Sequence, residues 1–172
     1  LEITANKLEL LELSRFSDLE YLVIRDYLKE RDLLLNCKRL KHLCLVRSGV
    51  TNLKTILSNC DLESLRLEFC YNLKSLNGVQ CLQNLSKIEL DYCLKLENIS
   101  DIQSAANSLK YLRITDCNKI RELPSELIKL SELETLYVST SQTRCVNKFT
   151  SIEFIKKLTK LKNFMTDYKI ED

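Results

Sequence analysis

The sequence predicts an α/β solenoid: a curved parallel sheet on the concave side, with helical or 3-10 return segments on the convex side. Three observations carry that expectation. A frame of the form L-x-x-L-x-L-x-x-(C/S/Y) recurs along the chain at near-regular intervals. Inside each copy the hydrophobic period switches from the alternation of a strand to the three-to-four spacing of a helical turn. Glycine and proline number only two and one in 172 residues, against usual shares of roughly 7% and 5%, which argues against hairpin-rich all-β folds.

The copies run in order. A partial one at Leu1, Ile3 and Asn6 is followed by Leu19/Leu22/Ile24/Tyr27, Leu40/Leu43/Leu45/Ser48 and Leu62/Leu65/Leu67/Cys70. Next come Leu85/Ile88/Leu90/Cys93, Leu109/Leu112/Ile114/Cys117 and Leu133/Leu136/Val138/Ser141, then a weaker copy at Leu161/Phe164/Thr166. Measured at the second apolar position, the intervals are 21, 21, 22, 23, 24, 24 and 28 residues. Each x-L-x-L-x stretch reads as a short strand with its leucines inward. Leu28/Leu33/Leu34, Leu53/Ile56/Leu57, Leu73/Leu76/Val79 and Ile120/Leu123/Leu127/Leu130 are spaced for helical or 3-10 return segments that bury their leucines against neighbouring copies. One copy cannot bury its own leucines, but stacked copies can, and each buried leucine contributes roughly 1.5–3 kcal/mol. The long last interval predicts a polar insertion over residues 139–149. It also predicts an amphipathic helix over 151–160, capped by Ser151 with Ile152, Ile155 and Leu158 inward, whose lysines form a solvated face.

This pattern resembles the leucine-rich-repeat family over nearly the whole chain. The segments C-Y-N-L-K-S-L, C-L-K-L-E-N-I and C-N-K-I-R-E-L-P are similar to the cysteine-containing repeats of intracellular proteins. Such repeats occur in the arrays of plant nucleotide-binding immune receptors and in bacterial cytoplasmic leucine-rich-repeat proteins. Tyr27 and Ser48 depart from the cysteine position in the early copies. Extracellular members of the family usually carry cysteine-clustered caps, which this chain does not display, so the resemblance implies a cytoplasmic setting. The expected organisation is a single array, 1–172, of about seven to eight repeats. Starting within a repeat and without an initiator methionine, it is read as a fragment of a longer chain.

Composition narrows the function classes. The net charge of +2 gives no field that would favour nucleic acid or an anionic membrane, and no apolar run of about 18 residues is present to span one. No cofactor is expected. Gly49 and Gly78 are too few for a phosphate-binding loop, and no C-x-x-C pairs exist for a metal. Cys70, Cys93 and Cys117 fall where the chain leaves the strand and point inward, as small buried thiols. His42, the single histidine, stands near Cys44 without a third group to complete a nucleophilic site. Some bacterial effectors that resemble this array carry a C-x-D ubiquitin-ligase nucleophile; none of the eight cysteines here is followed two residues later by aspartate. A non-catalytic chain, expected to be monomeric, is the reading.

With the leucines inward, alternation places three columns on the concave face. They are Tyr21, His42, Ser64, Lys87, Tyr111, Thr135, Asn163; then Val23, Cys44, Arg66, Glu89, Arg113, Tyr137, Met165; then Arg25, Val46, Glu68, Asp91, Thr115, Ser139, Asp167. A rim column adds Asp26, Arg47, Phe69, Tyr92, Asp116, Thr140 and Tyr168. Tyrosine and arginine are enriched in protein-binding hot spots. The centre of a face for a protein partner is therefore expected at Arg66, Glu68, Phe69, Glu89, Asp91, Tyr92, Tyr111, Arg113 and Tyr137. The plain alternative is cross-strand pairing, Arg66 with Glu89 and Glu89 with Arg113. Two other functions remain open: the ligand-sensing or autoinhibitory array of an immune-type receptor, and a structural segment of a larger enzyme.

Overall fold

A computed structural model describes residues 1–4, 16–28, 37–58, 60–120, 123–140, 148–149, 153–167 and 169–170. Each x-L-x-L-x stretch forms a strand: β1 Glu2–Thr4, β2 Tyr21–Arg25, β3 His42–Val46, β4 Ser64–Glu68, β5 Lys87–Asp91, β6 Tyr111–Thr115 and β7 Thr135–Ser139. β9, Asn163–Thr166, closes an eight-stranded sheet in the order β1-β2-β3-β4-β5-β6-β7-β9. All of its pairs are parallel. β8, Lys148–Phe149, and β10, Lys169–Ile170, form a separate parallel pair.

The register is the one the repeat frame requires. Leu22, Leu43, Leu65, Ile88, Leu112 and Leu136 are successive Cα partners, as are Ile24, Leu45, Leu67, Leu90, Ile114 and Val138. All twelve are buried, so one slipped residue would turn a whole row of leucines to solvent. Among the described residues the chain returns behind the sheet through an α-helical turn, α1, Lys54–Leu57, and 3-10 turns at Val79–Cys81, Ser100–Ala105, Ser125–Lys129 and Glu153–Lys157. Their inward residues Leu57, Val79, Ile102 and Leu127 complete a continuous core with the strand leucines.

Gly78 shows how tightly neighbouring returns approach. Its φ is +118°, and a Cβ there would lie 2.5 Å from the Leu53 carbonyl carbon and the Lys54 nitrogen. The Leu53 amide donates to the Asn77 carbonyl at 2.8 Å, which pins the two turns together.

Two expectations need correction. Leu28 does not face inward; it is 75% exposed. It follows the buried Tyr27 on the loop edge of the sheet, where Tyr71 and Leu94 are also exposed after their buried cysteines. Leu33 and Leu34 lie outside the described residues. The helix expected over 151–160 is a five-residue 3-10 turn, Glu153–Lys157, short enough that Leu158 is buried just beyond it while Ile155 is half-buried. Its foreseen cap, Ser151, its inward Ile152, and most of the expected insertion lie outside the described residues.

Candidate functional site

The open face of the sheet carries the three columns in register. Tyr21, His42, Ser64, Lys87, Tyr111, Thr135 and Asn163 are successive Cα partners; so are Val23, Cys44, Arg66, Glu89, Arg113, Tyr137 and Met165. Arg25, Val46, Glu68, Asp91, Thr115 and Ser139 form the third. The structure thus brings Arg66, Glu68, Glu89, Asp91, Tyr111, Arg113 and Tyr137 together on four adjacent strands, β4 to β7. Phe69 and Tyr92 stand at the ends of β4 and β5, with ring centroids 4.9 Å apart and planes inclined by 20°.

The charges at the centre form a layered network. Arg66 pairs with Glu68 and reaches Asp91 at 3.8 Å; Lys87 pairs with Glu89 at 3.1 Å; Arg113 reaches Asp91 at 3.8 Å and donates from Nε to the Thr115 hydroxyl at 3.1 Å. These contacts replace the expected Arg66–Glu89 and Glu89–Arg113 pairs. Residues two apart on one strand share a face within about 7 Å, so Arg66 and Lys87 lean along their own strands and both arginines converge on Asp91. The Lys87 ammonium also lies 5.0 Å from the Tyr111 ring centroid, and the Arg113 guanidinium 5.5 Å from that of Tyr137.

Burial sorts the two signs. The side chains of Glu68, Glu89 and Asp91 are 19%, 10% and 11% exposed; those of Arg66, Lys87 and Arg113 are 43%, 44% and 34% exposed. Carboxylates form the floor and cations the roof. Burial works against the charge of Arg66, but the carboxylates of Glu68, Glu89 and Asp91 outweigh it and leave the guanidinium pKa raised. Two atoms of this network, Arg66 Nε and Asp91 Oδ1, are buried without a hydrogen-bond partner. A shallow cavity of about 320 Å³ opens beside it, lined by Tyr21, His42, Ser64, Arg66 and Lys87 among others.

His42 and Cys44 share the open face, as their spacing implies, but their surroundings are those of packing. The His42 ring lies 5.7 Å from that of Tyr21. Burial is the largest influence on Cys44, pushing its thiol up to about 11, the opposite of what a nucleophilic cysteine needs. Among the described residues no group of three metal-ligating side chains is present.

The loop edge holds a feature that sequence reasoning missed. Asp26, Arg47, Phe69, Tyr92 and Asp116 all have φ between 52° and 60°, a conformation rare outside glycine and asparagine. Each turns the chain off its strand while its amide still donates to the next repeat, at 2.9, 2.8, 2.8, 2.9 and 3.0 Å to Val46, Glu68, Asp91, Thr115 and Ser139. At Thr140 the Asp167 carboxylate accepts from the amide, at 3.0 and 3.1 Å. The residue after each turn plunges inward: the Ser48 hydroxyl donates to the Tyr27 carbonyl at 3.0 Å, and the thiols of Cys70, Cys93 and Cys117 point to Leu45, Leu67 and Leu90 carbonyls at 3.7 Å. At Tyr71 and Leu94 the next residue is exposed, and Tyr71 extends the Phe69–Tyr92 stack by meeting Phe69 edge-on at 6.1 Å. A hydrophobic residue directly after an inward cysteine was the available signal. Of the rim column, Tyr168 lies outside the described residues.

The sequence matches no protein-family model. No curated protein matches it. Among solved structures, internalin C2 from Listeria monocytogenes str. 4b F2365 is similar over 98% of this chain and 69% of its own length, with a TM-score of 0.69 and 20% sequence identity. An internalin, InlF, from the same organism overlaps over 93% of this chain and 65% of its own, with a TM-score of 0.45 and 18% identity. The fold assignment rests on the first of these and on the eight stacked parallel strands with their short return turns: this chain folds as a leucine-rich-repeat solenoid.

Proposed function

We propose that the chain is a non-catalytic protein-interaction module that engages a partner protein through the concave face centred on β4 to β7. The observation that carries this reading is the register that gathers Arg66, Arg113, Tyr111 and Tyr137 on one solvent-facing surface above a fully buried core. A rigid sheet presenting aromatic and guanidinium groups limits the ordering entropy lost on binding. The raised Cys44 thiol and the packing of His42 against Tyr21 support a binding role over a catalytic one.

The similarity to cysteine-containing intracellular repeats belongs to the same proposal. It is supported by the buried free thiols Cys70, Cys93 and Cys117, aligned one repeat apart. On this reading the module works as a monomer in a reducing, cytoplasmic compartment, and contacts neither nucleic acid nor membrane.

The test is affinity capture from an extract of the native cell. Three folded forms are compared: the original chain, a concave Arg66→Glu/Tyr137→Ala variant, and a convex Lys129→Glu variant. A partner retained by the convex variant and lost by the concave one is the expected result. Equal retention by both, or loss only with the convex change, overturns the assignment of the face.

A further inference from the structure

The layering of charge at the centre of the open face identifies the kind of partner that fits it. Three cations and three carboxylates cancel at long range, so the face has no field to gather a polyanion. At contact range the balance differs, because the carboxylates lie on the floor and the cationic heads stand above them. Each cation is anchored from one side: Arg66 by Glu68, Lys87 by Glu89 and the Tyr111 ring, Arg113 by Thr115 and the Tyr137 ring. A guanidinium has five N–H donors in a planar fork. The Arg66 and Arg113 side chains, held from beneath, stay 43% and 34% exposed, so a carboxylate can reach guanidinium donors whose position is already fixed. An incoming cation meets the opposite situation, since Asp91 and Glu89 lie beneath groups of its own sign.

Geometry adds a spacing. Arg66 on β4 and Arg113 on β6 occupy the same column two strands apart, about 10 Å at ordinary strand separation. A segment in the extended polyproline II conformation has three residues per turn and rises about 3.1 Å per residue, so side chains three apart share a face about 9 Å apart. Lys87 on β5, one column over, stands between them in the strand order.

We infer that the concave face, taken as the binding face, receives an extended acidic segment of a partner protein. The segment runs across the strands in the polyproline II conformation, which sets two carboxylates three residues apart on one face, seated on Arg66 and Arg113. Lys87 offers a further donor between them. An apolar residue of the segment has the half-buried rings of Tyr137 and the Phe69–Tyr92 pair to lie against.

The experiment is an NMR titration of the nitrogen-15-labelled chain, reading arginine Nε–H signals and the amides of β4 to β6. The probes are the capped peptides Ala-Glu-Ala-Ala-Glu-Ala and Ala-Lys-Ala-Ala-Lys-Ala, and a single-stranded oligothymidylate. The acidic peptide is expected to shift the Arg66 and Arg113 signals and to bind at least about tenfold more weakly to an Arg66→Gln/Arg113→Gln variant, the loss of one good charge-assisted bond. Lys87→Gln, which leaves both arginines in place, keeps the test valid if the double variant does not fold, and is expected to weaken binding by a smaller factor. Preference for the lysine peptide at these strands overturns the acidic assignment and leaves the concave face standing. Binding of the oligothymidylate in place of the acidic peptide overturns both this inference and the exclusion of nucleic acid. Acidic-peptide binding indifferent to all these substitutions, or no response to any probe, also overturns the inference; the capture experiment then decides separately whether the face binds a protein at all.

Discussion

Cys44 illustrates how position on a repeat sets chemistry at a single residue. It lies on the open face, yet burial raises its thiol from the ordinary 9.0 to about 11. Two pH units leave about a hundredfold less thiolate than an unperturbed thiol would carry. Alkylation by iodoacetamide at pH 8, followed by peptide mass spectrometry, should therefore modify the exposed Cys81 first and leave Cys44 almost untouched. The same shift has a stability consequence. A thiol whose folded pKa lies above its unfolded value stabilises the fold fully below about 9 and ceases to do so as pH rises toward about 11. Urea midpoints should fall across that window, and Cys44→Ala should flatten part of the fall. Gly78 is the other residue whose environment allows one solution, because a Cβ at 2.5 Å from the backbone of Leu53 and Lys54 has no flexible neighbour to displace. Gly78→Ala is expected to destabilise by about 2–3 kcal/mol, measured by urea unfolding, whereas Gly49→Ala meets only Leu28 atoms at 3.3 Å and should cost less.

At the scale of the element, strands were legible and turns were not. Leucines two apart declare their own face, and the interval between copies declares their partners, so every column from Tyr21 to Tyr137 is legible in the repeat frame. The rim escaped because its conformation is imposed by the stack. Nothing in the identities of Phe69 or Tyr92 favours a positive φ, which costs a residue of this kind about 1–2 kcal/mol. The inter-repeat amide bond, the inward cysteine and the ring stack offset that cost together, and each depends on a neighbouring repeat. The charge network was half legible for a related reason. Spacing placed Arg66 opposite Glu89 correctly by backbone, but a long side chain chooses among several carboxylates within reach, and alternation carries no information about that choice. Leu28 shows the same blindness, since hydrophobic spacing cannot tell an inward leucine from one thrown out by a turn. A contrast checks the correction: Leu90→Ala should cost about 2–5 kcal/mol as a fully buried side chain, and Leu28→Ala no more than about 0.5 kcal/mol.

The whole molecule is a one-dimensional stack in which each strand of the interior is paired on both sides while β1 and β9 are each paired on one. Its stability is then approximately a sum of repeat terms and nearest-neighbour interfaces. Burial follows the same gradient. Leu65, Leu67, Ile88, Leu90, Leu112 and Ile114 are wholly buried, whereas Phe164 on β9 is half-buried and Leu1 beside β1 is exposed. Amide hydrogen exchange should accordingly be slowest on β4 to β6, which carry most of the proposed binding face, and fastest on β1 and β9. Placing the face at the centre of the stack gives its side chains the most rigid support the fold offers. Leu90→Ala supplies the decisive comparison. If coupling is nearest-neighbour, protection should drop most on β5 and its partners β4 and β6 and least on β1. An equal drop on every strand would show one cooperative unit, and the rigidity of the central face would then be a property of the entire array rather than of its own repeats.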